Sequence, residues 1–378
     1  MDAIVKKFVE ENTALAFELL KDLCLIPAPS HHEGKRAEYC RSFLEKIGAK
    51  GVYIDEALNV VFPVNAVGKN SMTVIAAHTD TVFPDTEPMP YSEDEEKIYC
   101  PGVGDNTVRV VMLLLLAKFI VENKLTPKNG MLLVCNSCEE GLGNLKGVRR
   151  LFKDYEGRIS GFITLDNNYP AISDRTAGSH RYEVEVKTRG GHSYQAFGNT
   201  NANAVLAEMI TKIYKLSVPE KEGAKTTYNV GIISGGTSVN TICQSAKMLC
   251  EYRSNDRECL AVMKEHFERI FKEAKNNPDT EIIVEQVGDR PCSDIAPERL
   301  EAFKTVVAPV IESVVGMPVE YKCSSTDCNI PMSLGIPGLN VGTNISGGSH
   351  TREEYLVKNS VPTGIEIALR LGIRLAEI

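Results

Sequence analysis

The side chains best suited to chemistry in this sequence are imidazoles and carboxylates, and they recur in one kind of place. His78 and Asp80 stand two positions apart in VIAAHTDTVFPD, directly after a run of small apolar residues. Glu139 and Glu140 follow MLLVCNSC, and Asp166 follows GFITL. Asp105 lies in the glycine-rich CPGVGDNT and His350 in the glycine-rich NISGGSH. Imidazole and carboxylate are ordinary Zn²⁺ ligands. A carboxylate shared between two ions about 3.5–4 Å apart offsets their repulsion. Such a pair needs two private ligands for each ion and one bridge. Glycines beside Asp105 and His350 permit close backbone approach and sharp turns.

Each residue also has an ordinary use. A lone strand-end histidine is more often a satisfied polar group than a ligand. Asp105 has the position of an N-cap for the helical pattern that follows it. Neighbouring acids such as Glu139 and Glu140 usually face solvent, and Asp166, beside Asn167 and Asn168, suits a turn. What separates the two readings is joint placement. Adjacent residues on a strand point to opposite faces, so both glutamates reach one site only if the chain has left the strand, for which Gly141 and Gly143 give scope. His31, His32, His180 and His266 lack this context and read as structural.

The elements that must position these groups come in two styles. MTVIAA (72–77), MLLVC (131–135) and GFITL (161–165) are continuous apolar runs, as expected of strands covered on both faces. Helical patterns at 34–48 and 107–123 lie between them, giving α/β alternation. In open α/β sheets ligands bind at the carboxyl ends of the strands, which is where the imidazoles and carboxylates fall. After residue 176 the style changes. RYEVEVK alternates strictly, and strands near 181–187, 227–233, 247–253 and 281–287 with helices at 202–216 and 257–276 make a β-α-β-β-α-β order. That is the ferredoxin-like pattern. The expectation is an α/β catalytic domain with a mostly parallel mixed sheet, residues 1–176 and 291–378, interrupted by an α+β lid or dimerisation domain, residues 177–290.

Bulk properties exclude some classes. A chain of 378 residues exceeds what one core usually serves. Net charge of −8 argues against nucleic acid, whose affinity comes largely from Lys and Arg on phosphates. VVMLLLLAKFIV (110–121) is shorter than the roughly 20 apolar residues of a membrane span and reads as a buried helix. The opening residues read as an ordinary amphipathic helix rather than a targeting peptide. Eleven irregularly spaced cysteines suit reduced thiols in the cytoplasm. The pair Cys135 and Cys138 has Cys-x-x-Cys spacing, but Glu-Glu-Gly after it is a poor setting for a thiolate.

Taken together, HTDTV, GVGDN, EEGLG, LDN and GGSHTREEY give the chain a close resemblance to the M20 family of metallopeptidases and amidohydrolases. That family includes tripeptidases, carboxypeptidases and N-acyl amino-acid deacylases. STDCNIPMSLGIP resembles the family's Asp-containing helix and Gly-Ile-Pro turn. The resemblance runs nearly end to end. It implies two Zn²⁺ ions, with Co²⁺ or Mn²⁺ as substitutes, and amide hydrolysis of a small peptide or an N-acyl amino acid. It makes Asp105 the bridge, His78 and Asp166 the ligands of one ion, and Glu140 and His350 those of the other. It makes Glu139 the general base and Asp80 the group that holds the His78 imidazole. In RGGHSYQAFGNTNAN it makes His192 a residue reaching a partner subunit's site in a homodimer formed through the lid. It gives Asn240 and Arg253 to a substrate carboxylate. Asn106 departs from the family, where many members place Met or Asp and then Lys-Gly after the bridge. Asp at 166 rather than Glu goes with aminopeptidase and deacylase members. A non-catalytic binding protein on the same fold would be expected to have a broken ligand set; all five positions are filled.

Overall fold

The computed structural model describes residues 1–277 and 279–378. The chain divides into two compact units, Met1–Thr176 with Asp294–Ile378, and Ala177–Ser293.

The first unit is built on an eight-stranded sheet. Its order is Tyr53–Ile54, Val60–Val64, Gly130–Asn136, Met72–His78, Ile159–Asn168, Gly338–Asn344, Ala171–Thr176 and Glu320–Ser324. The four central strands are mutually parallel, from Gly130–Asn136 to Gly338–Asn344. The continuous apolar runs follow from cover on both faces. Ile75, Ala77, Leu133, Ile163, Leu165, Leu339 and Val341 join one core with the helices Asp2–Cys24, Val108–Glu122, Pro297–Val315 and Ser360–Ala376. Val74, Ala76, Leu132, Val134 and Phe162 join another with Lys146–Asp154 and Asn329–Ser333. The apolar segment read as a core helix lies in Val108–Glu122, where every residue from Val108 to Ala117 is buried. Among the described residues no helix is long and apolar enough to cross a membrane.

Parallel strands end on one rim. His78 closes its strand and pairs in register with Asn136. Ala76 is in register with Thr164, two residues before Asp166. The Gly338–Asn344 strand ends six residues before His350. Topology therefore delivers four of the chemically interesting segments to a common edge.

The second unit is a four-stranded antiparallel sheet in the order Thr226–Gly235, Ser245–Ser254, Gly178–Thr188, Thr280–Arg290. Tyr182, Val184 and Val186 alternate inward and pack with Met248, Cys250 and Tyr252 against the helices Ala202–Ile213 and Arg257–Lys275. Asn201 and Asp256 cap those helices through bonds from the amides of Asn203 and Cys259.

Candidate metal centre

Asp105 is not the N-cap of the helix that follows it. Val103–Thr107 forms one widened turn in which Asp105 (φ −113°, ψ 87°) and Asn106 (φ −133°, ψ 20°) leave helical geometry. Thr107 Oγ1 closes the turn by donating to Gly102 O at 2.6 Å. Asn106, fully buried, donates from Nδ2 to Leu165 O at 2.9 Å. The Asp105 carboxylate is left facing two imidazoles. Its Oδ1 lies 3.2 Å from His78 Nε2 and its Oδ2 lies 3.3 Å from His350 Nε2.

The other donors close around this carboxylate. His78 Nε2 is 3.7 Å from Asp166 Oδ1, and His350 Nε2 is 3.3 Å from Glu140 Oε1. Ligand atoms fall into three overlapping groups, each within 4.8 Å: His78 with Asp105 and Asp166, Asp105 with Glu140 and His350, and His78 with Glu139 and Glu140. The two glutamates both reach the centre because the chain leaves the sheet after Asn136. Cys138 takes a positive φ of 56°, and Gly141–Gly143 then forms a short 3-10 turn. Glu33, fully buried, holds that corner by accepting the Cys138 amide at 2.9 Å and its thiol at 3.2 Å.

Asp80 serves more of the centre than its spacing from His78 indicates. Its Oδ1 lies 3.4 Å from His78 Nδ1 and accepts the Glu139 amide at 2.9 Å. Its Oδ2 accepts the Glu140 amide at 2.9 Å and Ser30 Oγ at 2.7 Å. Asp80 thus meets the imidazole with its backbone oxygen, 3.1 Å from His78 Nδ1, and aims the backbone of both glutamates with its buried carboxylate. Behind it, buried Asp327 accepts from Asn136 Nδ2 at 2.8 Å. Burial pushes the Asp327 carboxyl up to about 7, against the opposing pull of His78.

The electrostatics are those of carboxylates crowded around two imidazoles. The Asp105 and Glu140 carboxylates beside His350 push it up to about 10. Burial works against charge on His78, yet Asp105, Asp166 and Asp80 outweigh it and raise its pKa well above the usual value. Burial raises the Glu140 carboxyl. Two buried atoms at the centre, His78 Nε2 and Glu140 Oε1, make no hydrogen bond of acceptable geometry, and such atoms ordinarily cost about 1–3 kcal/mol each. Orphaned imidazole nitrogen and carboxylate oxygen around a shared carboxylate fit a pair of divalent cations. Zn²⁺ takes this mixture readily, and Co²⁺ or Mn²⁺ tolerates it.

Three residues expected to bind substrate lie in the second unit. His192 pairs with Thr241 in a short ribbon, and its Nδ1 accepts the Tyr194 amide at 3.2 Å. Asn240 adjoins that ribbon, accepting the Ser193 amide on its backbone oxygen at 2.9 Å and Ser238 Oγ on its side chain at 2.7 Å. Arg253 is apart from these two, paired with Glu251 at 2.7 Å and 3.0 Å. The Cys-x-x-Cys pair is buried at both positions, and burial followed by the Glu33 charge pushes the Cys138 thiol up to about 12. That setting disfavours a thiolate at neutral pH.

Sequence reasoning missed Glu33, Arg109 and Glu354. Arg109 donates to Gly104 O and, at 3.0 Å, to Asn168 Oδ1. Glu354 binds the backbone of the Asp105 loop. Glu33 and Glu354 act on backbone amides distant in sequence and Arg109 ties its own loop to the distant Asn168 side chain, which no local spacing announces. The only available signal was the position of Glu354 four residues after His350 within GGSHTREEY.

Comparison with known proteins places this geometry in context. The model of peptidase family M20/M25/M40 matches residues 74–373. A succinyl-diaminopimelate desuccinylase of Corynebacterium glutamicum is 23% identical over 343 residues, covering 89% of this chain and 90% of that protein. A tripeptidase of Staphylococcus aureus superposes with a TM-score of 0.75 at 18% identity, covering 97% of this chain and 99% of that one. A Bacillus subtilis protein described as a dinuclear metal-binding peptidase superposes with a TM-score of 0.65 at 14% identity, covering 96% and 98%.

Proposed function

Since the chain belongs to peptidase family M20/M25/M40, and is therefore a hydrolase of that family, we propose that it cleaves an amide bond of a small peptide, as an aminopeptidase or tripeptidase, with two Zn²⁺ ions. His78 and Asp166 would hold one ion, Glu140 and His350 the other, and Asp105 both; Co²⁺ or Mn²⁺ would substitute. The observation that carries this reading is the Asp105 carboxylate, whose two oxygens face two different imidazoles at 3.2 Å and 3.3 Å.

When bound, such a metal pair supplies Lewis acidity that lowers the pKa of water and polarises a carbonyl. The protein supplies the rest. Glu139, 6% exposed and grouped with His78 and Glu140, takes the proton of the attacking water and delivers it to the leaving nitrogen. Asp80 holds the His78 ring and keeps Glu139 and Glu140 aimed at the reaction. His192, Asn240 and Arg253 would grip the substrate, with His192 serving a partner subunit in a homodimer formed through the Ala177–Ser293 unit. The eleven irregularly spaced cysteines suit a cytoplasmic location.

A second reading within the family is N-acyl amino-acid deacylase or carboxypeptidase. The desuccinylase similarity over 89% of the chain favours the deacylase form. Metal-loaded protein assayed side by side on tripeptides, N-acyl amino acids and C-terminal dipeptides decides between them. Tripeptide cleavage from the amino end is the expected result. Turnover confined to N-acyl amino acids would replace the first reading with the second, and no turnover on any would overturn both.

A further inference from the structure

Asp105 can bridge only if its loop holds still, and the loop's own bonds, from Thr107 to Gly102 O and from the Val103 amide to Cys100 O, do not engage the amide of Asp105 itself. Gly102 lies at φ +78°, and the two residues of the Asp105–Asn106 segment leave helical geometry. Three amides of the loop, those of Gly102, Gly104 and Asp105, find no partner in a strand or helix ladder. All three end on one side chain. Glu354 Oε2 accepts the Gly102 amide at 2.7 Å, and Oε1 accepts the amides of Gly104 at 2.8 Å and Asp105 at 2.7 Å. Glu354 is fully buried. Its own backbone oxygen accepts the Cys100 amide at 3.2 Å, which fixes the start of the same loop.

The rest of the loop is closed from the other side. Arg109 grips Gly104 O and reaches Asn168 Oδ1 at 3.0 Å. Asn168 Oδ1 in turn accepts the Ser346 amide at 3.1 Å, and Asn168 Nδ2 donates to Ser346 O at 2.8 Å. A Cβ at Gly104 would collide with Ser346, so the loop has no room to slide. The segments that carry Asp105, Asp166 and His350 are thereby braced on one another, and Glu354 makes the largest number of those ties to the Asp105 loop.

We propose that Glu354 is a positioning residue for the metal pair: by clamping three amides of the 102–105 loop from the segment that carries His350, it fixes the Asp105 carboxylate where both imidazoles can share it. The proposal rests on the two-metal reading of the site. It assigns Glu354 no contact with substrate or ion. Its specific consequence is that loss of the clamp damages the shared ligand more than the private ones. A first ion still finds His78 and Asp166, or Glu140 and His350; the second, which depends on the bridge, binds poorly.

The test uses Mn²⁺ titrated into chelator-stripped full-length protein, wild type, Glu354→Gln and Glu354→Ala, followed by calorimetry and electron paramagnetic resonance. Two Mn²⁺ ions sharing a carboxylate give an exchange-coupled spectrum distinct from that of isolated ions. Wild type is expected to take up two coupled ions. In the variants the second ion should bind about 10–100-fold more weakly, the range for loss of groups that orient metal ligands, with the coupled signal replaced by that of isolated Mn²⁺. Glu354→Gln, which keeps one accepting oxygen, should fall between wild type and Glu354→Ala, and remains decisive if the alanine variant does not fold. Folded variants with wild-type affinity and coupling would overturn the proposal. So would equal weakening of both ions, since that marks a support for the whole centre rather than the bridge. A wild-type protein that binds no Mn²⁺ pair would overturn the metal reading itself, and this proposal with it.

Discussion

Asp80 accepts hydrogen bonds from Ser30 Oγ and from the amides of Glu139 and Glu140, besides facing His78 Nδ1. Groups that orient metal ligands typically change metal affinity by about 10–100-fold when removed. Asp80→Ala is therefore expected to weaken Zn²⁺ binding by about that range, measured with a competing chelator; unchanged affinity would limit Asp80 to a structural role. Glu139→Gln should behave differently. It keeps shape and metal but cannot accept a proton, so turnover should fall by about 10²–10⁴-fold while metal content stays at the wild-type level. The histidines give a pH prediction. His350 is held up to about 10 by Asp105 and Glu140, and His78 is raised by its carboxylate neighbours. A raised folded pKa adds stability to the metal-free protein below the unfolded value of about 6.5, and that contribution is lost as pH climbs through about 10 for His350. Metal ligation needs neutral imidazole. Zn²⁺ uptake at pH 7 must then expel protons, and its calorimetric heat should change between buffers of different ionisation enthalpy. Heats independent of buffer would contradict the protonated metal-free site. At this scale the donors were legible, because each stands at the end of an apolar run or in a glycine-rich loop. Glu33, Arg109 and Glu354 were not, because each has a partner that only folding brings near: the Cys138 amide, the Asn168 side chain and the Gly102–Asp105 amides.

The elements carry the site through register and burial. His78 opposite Asn136 and Ala76 opposite Thr164 are consequences of parallel pairing, and the apolar runs that encode those strands were readable because both faces are covered. The boundaries near the site were harder. The pattern read as one helix over 107–123 begins with the widened Val103–Thr107 turn, and it is that turn which frees Asp105 from capping. Nothing in GVGDNT distinguishes the two without the distant Glu354 and Leu165 partners. The Val108–Glu122 helix has apolar residues on every side, which is why it lies buried. Phe119 is fully buried there with its ring edge-on to Phe8 at 5.3 Å. Phe119→Ala should destabilise the protein by about 3–5 kcal/mol through a cavity, read as a lower denaturant midpoint with unchanged slope. A loss under about 1 kcal/mol would mean that the core collapses around the gap.

At the scale of the whole molecule, strict alternation in RYEVEVK and the β-α-β-β-α-β order made the second unit's sheet and helices readable from sequence. Its Thr226–Gly235 strand lies at an edge of the sheet, with Ile232 and Ile233 58% and 64% exposed. Exposed apolar edges invite pairing with another chain. Sedimentation should find a homodimer, and Ile233→Asp should shift it toward monomer; a fully active wild-type monomer would remove His192 from its proposed role. The account as a whole stands on the sharing of Asp105 between two cations. The most direct measurement is Zn²⁺ content per chain after chelator stripping, re-equilibration and dialysis, for wild type and Asp105→Ala in parallel. The structure predicts two ions in wild type and loss of at least one in the variant. Two ions retained in both proteins, or none in wild type, would contradict it.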